Sequence, residues 1–135
     1  MSCLFCKIIN NEIPSTKIFE NDQVVAFLDI NPCNSGHVLV VPREHCENLL
    51  DISAKNLQEV TAVLPKIAQA VLKSLNYEGF NLSVNNGAVA GQVVPHLHFH
   101  IVPRKDGDGH ELFQGRSYKD GEMEVVAKKI KQALL

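Results

Sequence analysis

Three of the six histidines occupy alternate positions within five residues, and this pattern is the strongest constraint on how the chain can fold. His96, His98 and His100 are separated by the apolar residues Leu97 and Phe99. Residues that alternate in this way point to opposite faces of a β-strand. The stretch therefore predicts a strand whose apolar side chains enter a core while its three imidazoles lie together on the other face.

A row of three histidines has three interpretations. They can be ordinary hydrogen-bonded residues, although three in register are unusual for that. Imidazole is also the commonest metal ligand, but same-face neighbours on a strand lie about 6.7 Å apart, so an adjacent pair could chelate a metal and all three could do so only on a bent strand. The row also suits contacts along an extended anion such as a phosphate chain.

Size and charge restrict the class of protein. A chain of 135 residues is expected to form one domain, 1–135, with a core of its own. The net charge of −2 gives no electrostatic footprint for nucleic acid, and no apolar run approaches the ~20 residues that span a membrane. The N-terminus has no signal-peptide pattern. We therefore expect a cytoplasmic protein, or a nuclear one in a eukaryote, with reduced cysteines.

Apolar periodicity predicts further strands and two helices. A long helix should begin after Ser53 and end near Asn76, with a kink or break at Pro65. A last amphipathic helix is predicted at 122–134, where it should dock on the body. Strands outnumber helices and most links are short, which favours an α+β fold with a mainly antiparallel sheet. The further strands cover Lys17–Glu20, Val24–Ile30, His37–Pro42 and Phe80–Asn85.

Four other features could carry chemistry. Cys3-x-x-Cys6 is half of a zinc-site spacing, a redox pair or two buried thiols. Asp29 ends an apolar strand, where a carboxylate commonly caps a turn, and ribose binding is the functional alternative. His37 opens another strand as either a core or a site residue. The loop 86–91 is either an ordinary hairpin or a backbone cradle for an anion.

These segments together resemble a known family. His96-Leu97-His98-Phe99-His100-Ile101-Val102 resembles the histidine-triad (HIT) motif, His-φ-His-φ-His-φ-φ, of nucleotide hydrolases and transferases. The resemblance is strongest over residues 3–104, and the C-terminal loop and helix, 105–135, are similar to those of microbial, zinc-containing members. It also includes Cys6–Ile9, Ile13-Pro14, Ala26–Ile30, Gly36–Pro42 and Gly91-Gln92.

The resemblance implies a fold and a reaction. The fold would be a five-stranded sheet with a long helix and a C-terminal helix, with two sheets joined across a homodimer. The reaction would be attack on the α-phosphate of a purine nucleoside 5′-phosphoramidate or a related nucleotidyl conjugate. His98 would form a nucleotidyl-histidine that water hydrolyses, and a backbone carbonyl should hold its other ring nitrogen. His100 would contact the phosphate and leaving group, Gln92 would offset negative charge, and no catalytic metal would be required.

The resemblance also assigns ligand-binding positions. Asp29 would bind the ribose hydroxyls of an AMP-like ligand, and Asn85 would reach the ribose–phosphate side. The remaining nucleotide contacts would come from Leu4, Phe5, Ile8, Phe27, Ile30, Gly91, Val93, Val94, His98 and His100. Val93 stands where the family often has Ser or Thr, so only its backbone could bind phosphate. A structural Cys₂His₂ zinc site would come from Cys3, Cys6, His45 and His96.

Other functions remain open at this point. The same residues could serve a diadenosine polyphosphate hydrolase. The chain could also be a nucleotide-binding regulatory protein with weak activity, or a catalytic metalloenzyme. The related uridylyltransferase branch has Gln at the third triad position, where this chain has His100, so the resemblance favours hydrolysis over nucleotidyl transfer to a sugar phosphate.

Overall fold

The sheet of the protein is antiparallel throughout, as a computed structural model describing residues 2–135 shows. Its strands run in the order β1-β2-β3-β5-β4, so β1 and β4 form the two edges. This confirms the predicted α+β fold with a five-stranded sheet. The elements are α1 (Leu4–Ile9), β1 (Lys17–Glu20), β2 (Val24–Leu28), β3 (Val38–Pro42), α2 (Ala54–Leu75), β4 (Gly79–Val84), a 3₁₀ turn (Ala88–Ala90), β5 (Phe99–Arg104) and α3 (Glu122–Ala133).

Helices cover both faces of the central strands. Alternate residues of β2, such as Val24 and Ala26, pack with α2 in the main core. The residues between them, Val25 and Phe27, pack with α1 in a second cluster on the opposite face. Because β2 and β3 are buried on both faces, they read as continuous apolar runs instead of alternating ones.

The long helix α2 keeps its predicted N-cap but is not divided. The Ser53 hydroxyl accepts a hydrogen bond from the Asn56 amide at 3.1 Å, and Asn76 closes the helix in the left-handed conformation. Pro65 lies inside a single helix of 22 residues, so of the kink or break expected there, the break does not occur. Pro65 removes the amide that would bond the Thr61 carbonyl, and both residues are on the exposed side, where water can replace the missing donor.

The histidine strand is shorter than the alternation predicts. Regular strand structure begins only at Phe99, and His96 lies in a bend before it. The predicted division of faces nevertheless holds, because Leu97, Phe99 and Ile101 are buried in the main core on the α2 side. The face of His98 is therefore the α1 side of the sheet.

The C-terminal helix forms, but its predicted docking on the body is wrong. None of the residues of α3 is buried, and Met123, Val125 and Ile130 are all more than half exposed. Its apolar residues correctly predicted a helix, but periodicity alone does not specify what covers an apolar face. No helix in residues 2–135 has the combination of length and apolar character needed to cross a membrane.

Candidate active site and metal centre

The first helical turn brings two sulfur atoms together. Cys3 is the N-cap of α1, and its Sγ accepts a hydrogen bond from the Cys6 amide at 3.4 Å. The Cys-x-x-Cys spacing therefore places both thiols at one end of a short helix. Two imidazoles reach the same point from His45, in the segment after β3, and from His96.

These four side chains fit a tetrahedral metal site. With metal–sulfur and metal–nitrogen bonds of about 2.3 and 2.0–2.1 Å, a zinc tetrahedron has N–N edges of about 3.3 Å and N–S edges of about 3.6 Å. His45 Nδ1 and His96 Nδ1 are 3.2 Å apart. The sulfur–nitrogen distances are 3.4 Å for Cys3–His96, 3.5 Å for Cys6–His45 and 3.6 Å for Cys6–His96. The cluster can therefore hold a metal ion.

The protonation of this cluster also suits a cation. The His96 Nε2–H group donates to the Pro42 carbonyl at 2.9 Å, which leaves the Nδ1 lone pair for the cluster. Burial and the neighbouring Cys3 raise the pKa of the Cys6 thiol to about 11. The Cys6 thiol therefore remains protonated at neutral pH unless a bound cation converts it into a thiolate.

A cavity of about 420 Å³ opens on the α1 side of the sheet, beside this cluster. Its floor is formed by β2 and β3, one wall by α1, and the other by the segment before β5. Ile13, Pro14, Ser15, Leu28, Asn31 and Leu39 also line it. The structure brings every residue of the expected nucleotide pocket into this one lining: Leu4, Phe5, Ile8, Phe27, Asp29, Ile30, Asn85, Gly91, Val93, Val94, His98 and His100.

His98 presents one free ring nitrogen to the cavity. Its Nδ1–H group donates to the His96 carbonyl at 2.7 Å, so Nε2 is the nitrogen that carries the lone pair. Phe5 packs edge-on against the ring, with 5.0 Å between the ring centroids. Burial lowers the pKa of His98 below its usual value, so the ring is neutral at neutral pH. A neutral imidazole with a fixed tautomer and an accessible Nε2 can act as a nucleophile.

His100 has the opposite tautomer to His98, because a chain of hydrogen bonds on the side away from the cavity fixes the position of its proton. The Cys33 amide donates to His37 Nδ1 at 3.1 Å, so the neutral His37 ring carries its proton on Nε2. That Nε2 lies 2.9 Å from His100 Nδ1 and donates to it. The proton of His100 is therefore on Nε2, a buried atom with no partner among the described residues.

Burial lowers the pKa of His37 and, together with His98 and His37, lowers that of His100 to about 4. Both rings are thus neutral at pH 7, and the His100 Nε2–H is an unused donor. An unpaired buried donor costs about 1–3 kcal/mol, which a ligand that accepts its hydrogen bond would recover.

Asp29 caps a turn and also lines the cavity, where its binding of ribose stays a prediction. Its Oδ1 accepts the Asn31 amide at 2.9 Å, which is the turn-capping role. Its Oδ2 lies 3.7 Å from His37 Nε2, and the residue also lines the cavity. Asp29, His37 and His100 are close enough to hold a metal. However, the Cys33 amide occupies His37 Nδ1, so a metal on Nε2 would require an imidazolate, and a hydrogen-bond chain is the better description.

The loop before the histidines offers backbone donors. Gly91 has a φ of 93°, which strongly favours glycine, and Asn85 Nδ2 lies 3.4 Å from where its Cβ would be. Within residues 2–135, the amides of Val93 and Val94 donate to no protein acceptor. Successive free amides can bind an anion when they point to the same side.

Backbone groups bind the side chain of Gln92. Its oxygen accepts the Gly87 amide at 2.9 Å, and its Nε2 donates to the carbonyls of Glu47 and Val94 at 2.6 and 3.1 Å. These bonds hold the loop in place, and Gln92 is absent from the cavity lining. The expected role of Gln92 in offsetting charge at the phosphate stays a prediction.

His37 is the site residue whose role the sequence left open. The pairing of β3 with β5 places Leu39 opposite His100, so His37, two residues before Leu39, points to the same face. Position at the mouth of an apolar strand was the only available signal. Of the other two cysteines, Cys46 is buried in the main core and Cys33 is exposed, and all four cysteines are free.

Fold and site together define an α+β protein with one antiparallel sheet and a neutral histidine cluster at a largely apolar cavity. The model of the HIT domain matches residues 10–107, and the chain belongs to the HIT family. It is 46% identical over 129 residues to an uncharacterized HIT-like protein of Methanocaldococcus jannaschii, covering 96% of this chain and 98% of that protein.

Two further proteins are informative. An adenosine 5′-monophosphoramidase of Candida albicans is 42% identical over 109 residues, which are 78% of this chain and 72% of that protein. The structure of a zinc-bound histidine triad family protein from Mycobacterium smegmatis superimposes with a TM-score of 0.78 at 32% identity, covering 98% of both chains. The chain therefore belongs to a family that includes proteins whose names describe hydrolases.

Proposed function

We propose that the protein hydrolyses purine nucleoside 5′-phosphoramidates or related nucleotidyl conjugates at the α-phosphate. The observation that carries the proposal is the pair of ring nitrogens at the cavity: a lone pair on His98 Nε2 and an unused N–H on His100 Nε2. Both rings line the cavity and their centroids are 4.9 Å apart, and we place one phosphoryl group beside the two Nε2 atoms. One ring attacks while the other donates a hydrogen bond.

The reaction proceeds in two displacements. The substrate nitrogen first takes a proton from solvent; His98 Nε2 then forms a bond to the α-phosphorus as the phosphorus–nitrogen bond breaks, and the nitrogen departs as a neutral amine. Water then attacks the nucleotidyl-histidine, which releases the nucleoside monophosphate and regenerates His98. His100 Nε2–H and the free amides of Val93 and Val94 stabilise the negative charge on the phosphoryl oxygens.

The remaining cavity residues support a nucleoside as the other half of the substrate. Phe5, Ile8 and Phe27 form an apolar wall suited to a base, and Asp29 can accept hydrogen bonds from ribose hydroxyls. The similarity to the Candida albicans phosphoramidase favours adenosine 5′-phosphoramidate as the first substrate to test. A dinucleoside polyphosphate would use the same two histidines, with a nucleotide as the leaving group.

The test measures AMP release from adenosine 5′-phosphoramidate by the wild type and by His98→Asn. We expect loss of turnover in the variant and retained AMP binding, since the pocket walls are unchanged. An AMP adduct should be trapped on the His98 peptide of the wild type by rapid quenching and mass spectrometry. Equal turnover in both proteins would refute the proposal, and parallel assays with diadenosine polyphosphate would rank the two substrates.

We also propose that the Cys3, Cys6, His45 and His96 cluster binds a structural zinc ion. Four protein ligands leave no open coordination position, and the distances match a tetrahedron. The ion would tie α1 to the segment before β5, so chelation should lower the melting temperature. Less than about half an equivalent of zinc per chain, measured on protein purified without chelator, would contradict it.

A homodimer is proposed from the exposed edge of the sheet. β4 is an edge strand, and its Phe80 and Leu82 are 40% and 47% exposed although they share the face of Val84, which packs on the main core. A second copy could cover them by joining its own β4. Light scattering should give twice the chain mass, and Leu82→Lys should shift it toward the monomer, whereas Ile18→Lys on the opposite edge should not.

A further inference from the structure

The turn that precedes His37 is held from outside by the segment after β5. Asp108 is the centre of this contact, with a carboxylate that is only 4% exposed. Its oxygens accept hydrogen bonds from Arg104 Nε and Nη2 at 2.7 and 2.9 Å and from Asn34 Nδ2 at 2.9 Å. The amides of Lys105 and His110 also donate to it, at 3.3 and 3.1 Å. These bonds, that of Arg104 first, hold the pKa of Asp108 far below its usual range.

Asn34 and His110 make the hydrogen bonds that fix the turn at Cys33. Asn34 Nδ2 also donates to the Pro103 carbonyl at 2.8 Å, which fixes the turn against the end of β5. The His110 Nε2–H group donates to the Cys33 carbonyl at 2.7 Å. The Cys33 backbone is thus held at its carbonyl by His110, while its own amide donates to His37 Nδ1.

We infer that Asp108 and His110 are positioning residues for the active site, acting through the turn at Cys33 to set the tautomers of His37 and His100. The inference rests on the proposed hydrolysis only for its effect on rate. Neither residue lines the cavity, and both lie beyond the matched family segment, which ends at residue 107.

The coupling follows from the number of protons in the chain of rings. Each neutral imidazole has one proton and can donate from one nitrogen only. If the Cys33 amide moves away, His37 is free to carry its proton on Nδ1, and its Nε2 then becomes an acceptor. His100 would then carry its proton on Nδ1 in order to donate to His37 Nε2. Its own Nε2 would no longer offer an N–H group to the cavity. A change at the exposed loop therefore reaches the reacting atoms as a change of hydrogen-bond donor.

The experiment compares His110→Ala and Asp108→Asn with Asp106→Asn. Asp106 is exposed in the same loop, so its variant is a control for the loss of one negative charge. The first measurement is the protonation of the histidine ring nitrogens by two-bond ¹H–¹⁵N NMR. We expect the wild type and Asp106→Asn to carry protons on Nε2 of both His37 and His100, and the two test variants to show mixed tautomers.

The second measurement is turnover of adenosine 5′-phosphoramidate. We expect kcat to fall on the order of tenfold in both test variants with KM unchanged, which is less than the roughly 10²-fold cost of a 1 Å misplacement of reacting groups. His110→Gln should restore most of the rate, because its side-chain amide can also donate to the Cys33 carbonyl. If His110 had a purely structural role, His110→Gln would not restore kcat while KM stays unchanged.

The outcomes separate this inference from the proposed reaction. Wild-type tautomers in both test variants, or a His100 proton on Nδ1 in the wild type, would overturn the inference even if the enzyme is active. If the wild type hydrolyses none of the substrates, the NMR comparison still decides the inference. If Asp108→Asn fails to fold, His110→Ala decides it, because His110 is exposed and its loss should leave the core intact.

Discussion

Replacing His37 by phenylalanine is the sharpest test of the hydrogen-bond chain behind the active site. Phenylalanine fills a similar volume in this buried position, where His37 is only 3% exposed, but it has no nitrogen. The change removes the acceptor for the Cys33 amide and the donor to His100 Nδ1. Leaving the buried His100 nitrogen unpaired should lower the free energy of unfolding by about 1–3 kcal/mol.

The same change should reduce catalysis, because nothing then fixes the His100 proton on Nε2. If the unpaired nitrogen costs the transition state about 1.4–2.7 kcal/mol, kcat falls roughly ten- to a hundredfold. Urea denaturation measures the first effect and steady-state hydrolysis of adenosine 5′-phosphoramidate the second. His37→Gln is the comparison, since its amide can still donate to His100. Wild-type kcat in a folded His37→Phe protein would refute the role assigned to this chain.

Three other predictions follow from the structure. Gly36→Ala should lower the free energy of unfolding by at least about 1–2 kcal/mol in urea, because Gly36 has a φ of 96° and a Cβ would collide with Leu75, whereas Gly115→Ala, with no heavy atom within 4 Å, should be neutral. The free energy of unfolding should fall as pH drops from 6.5 toward about 4, because the unfolded chain protonates His100 at the ordinary pKa while burial keeps it neutral in the folded state; burial lowers the pKa of His37, His96 and His98 as well, so His100→Gln should reduce the slope in part, and an unchanged slope would contradict the prediction. Removal of residues 122–135 should leave the free energy of unfolding of the monomer unchanged, since α3 buries no residue, and a large loss of stability would show that it docks.

Local chemistry explains why part of the fold could be predicted. The alternation of Leu97, Phe99 and Ile101 with the histidines identified the core face correctly, because side-chain direction on an extended chain depends on position alone. Ser53 identified the start of α2 for a similar reason, since an N-cap is satisfied within one turn. Features set by neighbouring residues are therefore legible in the sequence.

Other features depend on distant parts of the chain. Gln92 was expected at the phosphate, and its side-chain amide donates to the Glu47 carbonyl, 45 residues away, a contact that the neighbouring sequence does not predict. His37 could not be paired with His100 until the register of β3 against β5 was known. The apolar face of α3 required a covering surface that the chain itself does not supply. For Gln92, His37 and α3, a long-range partner decides between possibilities that the local sequence leaves open.

The three histidines of the motif differ in role because a different partner fixes each ring. His96 donates to the Pro42 carbonyl and turns its Nδ1 to two thiols, so it is suited to a metal. His98 donates to the His96 carbonyl, so its free nitrogen is Nε2. His100 accepts from His37 and therefore keeps its proton on Nε2. Spacing places the rings on one face of the sheet, but the position of a single proton on each ring separates the proposed metal ligand, the proposed nucleophile and the proposed hydrogen-bond donor.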